Sequence, residues 1–295
     1  MDWIVLSLAT AAVWAVVNII DKQVLTHWVK DVRAPLIVLG LVGLLAGIGI
    51  LLVRGFPSSW SLYDAVLLLI AGVTFAGGVI LYFRAMSLDE ASRIIGLYYV
   101  APLWVLILGA WFLGEVFTPL KYAGVISIVA GALLLSVRSV RSMRNGQVLV
   151  IMLLETMLFA ISAVANKLVL VDMDAWSVFA ISRIISFFVL VPVMVGSFAS
   201  LVSSVASKGW RVVGAMTVSE TLTALGGVLI TFALVSGPAT LVNALASMQP
   251  VFVLALMALL TVARPKLFKE EISRSALVVK ACAIALIVSG AVLVS

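Results

Sequence analysis

The two halves of this 295-residue chain repeat one another, and each half holds five apolar segments, an odd number. Laying residues 1–145 over residues 146–295 brings Trp14, Asp21, Lys22 and Leu25 onto Phe159, Asn166, Lys167 and Leu170. Gly77-Gly78 and Phe83 fall on Gly226-Gly227 and Phe232, Pro102 on Pro250, and Gly131-Ala132-Leu133 on Gly290-Ala291-Val292. The apolar runs of the first half are 3–20, 34–53, 65–83, 94–114 and 122–137. Those of the second are 148–166, 175–196, 212–235, 239–263 and 276–295, interrupted by Glu155, Arg183, Glu220 and Lys280. Each approaches the ~20 residues a helix needs to cross a bilayer. An odd number of crossings leaves the chain on the far side, so the second copy enters the membrane reversed. The pattern predicts an all-α membrane protein of ten transmembrane helices, arranged as two inverted five-helix repeats. Many secondary transporters are built this way, with the substrate site where the repeats meet.

Composition removes the soluble classes: 64% of residues are hydrophobic and 11% charged, with a mean hydropathy of +1.28. The first segment has an acidic start, Met1-Asp2, and no small-residue cleavage site, so it is expected to be retained rather than removed as a signal peptide. Between Thr221 and Ala263 the apolar stretch is too long for one helix, and Ser236-Gly237-Pro238 divides it. The only cysteine, Cys282, and the only histidine, His27, exclude an internal disulfide and leave no metal site or cofactor to expect. The net charge of +6 comes from basic residues dispersed among short loops, which topology explains better than a nucleic-acid partner. Of the 19 Lys and Arg, 15 fall on one side of the membrane and four (Arg54, Lys121, Lys167 and Arg183) on the other. Because basic loops face the cytoplasm, this split puts both termini outside it.

Ala91-Ser92-Arg93, Pro102, Gly114-Glu115, Gly124 and Gly131 together resemble the fourth and fifth helices of the EamA domain, of the drug/metabolite transporter superfamily. Ala239-Thr240, Pro250 and Gly290 repeat the pattern, and Arg183 matches an arginine of the second helix of such a copy. The resemblance covers essentially the whole chain and implies a two-copy, ten-helix carrier. It also implies cytoplasmic termini, opposite to the charge count. The chain departs from the pattern at Ala263, where the second half lacks a counterpart of Glu115, and near Leu41, where the first half lacks one of Arg183.

Ionisable groups inside a membrane span are costly, which makes Glu220, Glu155 and Arg183 the leading functional candidates. Glu220 stands about ten residues after Trp210, ~15 Å into its helix at ~1.5 Å per residue. A carboxyl group at that depth can serve as a proton carrier or cation ligand. Arg183 is expected to act as a counter-charge or to hold a substrate carboxylate. The alternative is a buried structural pair, or an arginine that snorkels. Trp14 and Asn18 share a face of the first helix with Lys22. Tyr82, Tyr98, Tyr99, Asn166, Asn243, Ser247 and Gln249 supply further rings, donors and acceptors. These fit a cavity that holds an organic solute, or else interfacial anchoring and interhelical hydrogen bonding. Pro102 and Pro250 are expected to kink their helices in mid-span. Glu115 reads as a loop anchor, and the glycine pairs as points of close helix approach.

These features favour a transporter for a small organic metabolite such as an amino acid or amine, working by alternating access in the export direction with proton coupling. An uncoupled facilitator and an accessory protein for lipid-linked intermediates are the alternatives. No catalytic motif or nucleotide-binding loop is present in the sequence, so no enzyme is expected. The expected partners are a small solute and the lipid bilayer, for a monomer or homodimer in a prokaryotic plasma membrane.

Overall fold

The computed structural model describes residues 2–29, 33–58, 60–89, 91–136, 146–263 and 274–295. The chain folds into α1 (Trp3–His27), α2 (Pro35–Arg54), α3 (Leu62–Met86), α4 (Ala91–Tyr98), α5 (Ala101–Leu108), a π-helical turn (Gly109–Leu113) and α6 (Pro119–Ser136). The second half supplies α7 (Gly146–Val169), α8 (Ala175–Lys208), α9 (Arg211–Ser236), α10 (Ala239–Ala246), α11 (Gln249–Ala263) and α12 (Arg274–Val294). Eight spans are long and apolar enough to cross a bilayer, and the shorter apolar helices Pro119–Leu135 and Val278–Val294 make ten among the described residues. The fold is that of an all-α, multi-pass membrane protein.

Helix starts follow ordinary capping chemistry. Asp2 accepts from the Ile4 N–H at 3.0 Å, Ser61 and Asp64 form a reciprocal capping box on α3, and the Asp174 side chain caps α8. Two helices outrun their apolar segments. α1 continues to His27, seven residues past the apolar run that ends at Ile20. α8 extends 34 residues through a serine-rich stretch that composition alone would make a loop. There the hydroxyls turn back on their own helix: Ser197 donates to the Val193 carbonyl at 2.8 Å and Ser204 to the Ser200 carbonyl at 2.9 Å. Spans four and nine are broken. α4 stops at Tyr98 and α5 restarts with Pro102 in its first turn, while α10 stops at Ala246 and α11 restarts at Gln249-Pro250. A proline in a first turn has no N–H to leave unpaired, so the interruption replaces a kinked continuous helix.

Packing pairs the halves span by span. A Cβ on Gly124 would stand 2.9 Å from the Gly290 carbonyl, and one on Gly131 2.7 Å from that of Ala283. Position 124 meets 290 and 131 meets 283, so α6 and α12 run antiparallel along a seam of small residues. Gly40 faces Met194, Gly43 faces Arg183 and Gly47 faces Ala180, which makes α2 and α8 antiparallel as well. α1 packs on α9 and α3 on α7. Adjacent carbonyls of α3 accept from both neighbours: Ala71 from the Ser162 hydroxyl at 2.9 Å and Gly72 from the Ser186 hydroxyl at 3.0 Å. Such interhelical bonds contribute about 1 kcal/mol each in a bilayer.

The basic segments around 138–144 and 264–269, which weigh heavily in the charge count, lie outside the described residues, as do the side chains of Lys22, Ser92 and Arg93.

Candidate functional site

Both broken spans turn their interruptions towards one hollow. A cavity of about 230 Å³ lies between the halves, lined from α1, α2, α3 and α4 on one side and from α7 through α11 on the other. The α6–α12 pair contributes nothing to it. Ten sequence-predicted residues converge on its wall: Trp14, Asn18, Tyr82, Tyr98, Tyr99, Asn166, Arg183, Glu220, Asn243 and Gln249.

Two acids and one arginine share the lining. Asp21 on α1 and Glu220 on α9 both line the cavity. The Ser219 hydroxyl donates to Asp21 Oδ1, fixing that carboxylate. Arg183 reaches in from α8 with its guanidinium carbon 3.7 Å from the Phe75 ring centroid and 5.2 Å from that of Phe179. It also feels the charge of Glu220. Cation–π contact of this kind contributes up to about 2 kcal/mol once desolvated. Behind Arg183 and Glu220 a second hollow of about 20 Å³, roughly the size of one water, is lined by Gly40, Gly43 and Ser186.

The remaining polar groups stiffen the wall. Gln249 donates to the Trp14 carbonyl at 2.9 Å, the Trp14 indole donates to the Thr223 carbonyl at 3.3 Å, and Asn18 is hydrogen-bonded to the Tyr99 hydroxyl. Asn166 accepts from the Ser182 hydroxyl at 3.0 Å. The aromatic side is a chain of edge-to-face contacts, Tyr82 to Tyr98 at 6.5 Å and Tyr98 to Phe159 at 5.7 Å between centroids. The glycine pairs make room for these side chains. A Cβ on Gly227 would stand 3.0 Å from the Arg183 guanidinium, and one on Gly78 3.2 Å from the Phe159 ring. A Cβ on Gly226 would collide with the Trp14 indole.

Two predicted residues stand apart. Ser247 bonds the Asn243 carbonyl of its own helix at 3.0 Å and does not line the cavity. Glu155 is fully buried beyond the tyrosines, off the cavity wall. Asp21 was missed because the apolar run ends one residue before it. Its signal was present: it follows Trp14 and Asn18 at helical spacing and aligns with Asn166. Phe75 and Phe159 look like ordinary core residues in the sequence and carried no signal.

Where Ala163, Ile230 and Leu234 line the cavity, an apolar cluster and a polar clasp join the two halves. Leu6, Val105, Val164, Leu234 and Val242 form a buried cluster drawn from both halves, with Trp3 and Trp104 packed on it. Above it, the π-helical turn ends on Gly114 at φ 63°, a left-handed conformation that suits glycine. This returns Glu115 to donate its N–H to the Gly109 carbonyl at 3.1 Å. The Glu115 carboxylate then accepts from the Ala239 N–H, the Thr240 N–H at 3.0 Å and the Thr240 hydroxyl at 2.6 Å. It therefore caps the first turn of α10 in the opposite half, where a negative charge is favoured. Lys167 holds the other side of the same loop, donating to the Leu234 carbonyl at 2.6 Å and the Gly237 carbonyl at 3.1 Å.

Comparisons agree with this architecture. Residues 1–137 match the model of the EamA-like transporter family. A Sinorhizobium protein named "Uncharacterized transporter in cobO 3'region" is 31% identical over 136 residues, which are 46% of this chain and 94% of that protein. A solved structure described as "Crystal structure of protein" shares the fold, with a TM-score of 0.69 at 19% identity over 99% of this chain and 95% of the other.

Proposed function

Because the chain belongs to the EamA-like transporter family, we propose that it is a secondary transporter which exports a small organic cation or zwitterion in exchange for protons. Amino acids and amines are the substrate class. The observation that carries this reading is the cavity itself: Asp21, Glu220 and Arg183 line one hollow together with Tyr82, Tyr98 and Trp14. An ammonium group seats against the two carboxylates and the rings, and a carboxylate, where the solute has one, against Arg183. At about 230 Å³ the space is smaller than the ~300–1,000 Å³ of drug-sized sites, which favours a metabolite.

Alternating access follows from two inverted repeats, 1–145 and 146–295, rocking about the shared cavity. The antiparallel pairing of α2 with α8 and of α6 with α12, which are equivalent spans of the two halves, supports that division. The accessory role in lipid translocation is less favoured, because helices of both halves surround the hollow. The site of action is the plasma membrane of a prokaryote, with the basic loops in the cytoplasm.

The test is a proteoliposome screen of radiolabelled amino acids and monoamines, with and without a pH gradient. At least one cationic or zwitterionic solute is expected to be carried. Asp21→Asn should weaken its transport about 10- to 100-fold, corresponding to the roughly 1.5–3 kcal/mol of a charge-assisted hydrogen bond. Equal transport by wild type and Asp21→Asn would remove the acidic pair from the mechanism.

A further inference from the structure

Glu155 occupies a place the substrate cavity does not use. On α7 it precedes Phe159, Ser162 and Asn166 at helical spacing, and those three line the cavity while Glu155 does not. Its side chain is fully buried, and neither carboxyl oxygen has a hydrogen-bond partner among the described residues. Val148 and Met152 precede it at helical spacing on α7 and belong to a buried cluster with Met86, on which Tyr82 and Tyr98 pack. The two tyrosines also line the cavity, so they stand as a screen between it and Glu155. From the elements packed on this part of α7, the titratable groups that interact with Glu155 are Tyr82 on α3 and Tyr98 on α4. An ionised carboxylate with no partner is strongly disfavoured in such a setting. The group is therefore held as the neutral acid, and any ionisation there is tied to the loss and return of a proton.

Resting on the transport reading above, we propose that Glu155 is a proton site separate from the solute site, reached through the Tyr82–Tyr98 screen. The step is a proton transfer: the carboxylic acid gives its proton to water in the cavity on one side of the membrane. The resulting carboxylate takes a proton from water after the cavity has opened to the other side. Tyr82 and Tyr98 can relay it, since each hydroxyl both donates and accepts. Asp21 and Glu220 then serve the solute, and Glu155 the driving ion.

The experiment compares two activities in proteoliposomes, using a fixed mixture of radiolabelled amino acids and monoamines. One is accumulation driven by a pH gradient; the other is exchange at equal pH and equal concentration, which needs no net proton movement. Glu155→Gln is expected to lose accumulation by more than tenfold and to keep exchange within about twofold of wild type. Undiminished accumulation would overturn the proposal. So would loss of both activities in a variant that elutes as a folded, monodisperse protein, because Glu155 would then belong to the solute site. Should Glu155→Gln not fold, dicyclohexylcarbodiimide on the wild-type protein reads the same site. It is expected to modify Glu155, with or without the solute mixture, and to block accumulation while sparing exchange; an unmodified Glu155 would count against the site. Wild-type protein that exchanges nothing would sink the transport reading itself, a result distinct from failure of the variant.

Discussion

Glu115→Ala is expected to open the clasped end of the cavity and to slow transport by holding it open. In the structure this carboxylate satisfies two backbone N–H groups and one hydroxyl of the opposite half. Removing it strands those donors at a helix terminus that already lacks intrahelical partners. Hydrogen bonds to a charged group contribute about 1.5–3 kcal/mol each, and water recovers part of that once the face opens. A net loss of about 3 kcal/mol for the clasped arrangement shifts the balance between states about 100-fold. Cysteines placed at Trp3 and Leu234 should then react faster with a thiol reagent added on that face, while Glu115→Gln, which keeps an acceptor, falls between. Ala263 stands where a second clasp would be. The two ends of the cavity are therefore expected to differ in how readily they open.

Gly131→Val is expected to separate α6 from α12 and to lower stability by about 3 kcal/mol. Even the first added carbon would lie 2.7 Å from both the Ala283 carbonyl and the Ile287 side chain. A backbone carbonyl cannot swing aside, so the helices must part, and overpacking of this kind costs about 1–3 kcal/mol or more. The helix propensity that valine gains over glycine, roughly a few tenths of a kcal/mol, does not offset it. Gly49→Ala and Gly214→Ala make the contrast, since nothing stands within 4 Å of a Cβ at either position. Those two should be neutral or slightly stabilising, and thermal unfolding in detergent distinguishes the cases. A Gly131→Val protein as stable as wild type would mean that the small-residue seam is not what joins the pair.

Much of this was legible in the residues. Segment lengths and the break at Ser236-Gly237-Pro238 gave the span count, and charges in apolar runs pointed to Glu220 and Arg183. What escaped had physical reasons. The ends of α1 and α8 were misplaced because hydropathy stops where polar side chains begin, although helices continue when serines bond back to their own carbonyls. Asp21 was hidden by that same error. Glu115 reads as a loop anchor and is one, but its partner on α10 was hidden, because a π-helical turn and a left-handed glycine are needed to bring it there. Ser247 shared spacing with Asn243 yet spends its hydroxyl on its own helix, a choice that periodicity does not reveal.

The most direct measurement is sided thiol labelling of the cavity. With Cys282 replaced by Ser, cysteines at Val79 on α3 and Ile230 on α9 report the wall from each half. In sealed vesicles both should react with a membrane-impermeant reagent. A transported solute should protect them, and Glu115→Ala should shift their reactivity towards the clasped face. Cysteines inert from both faces, or reactive but unprotected by every amino acid and amine tried, would contradict a shared solute cavity between the halves.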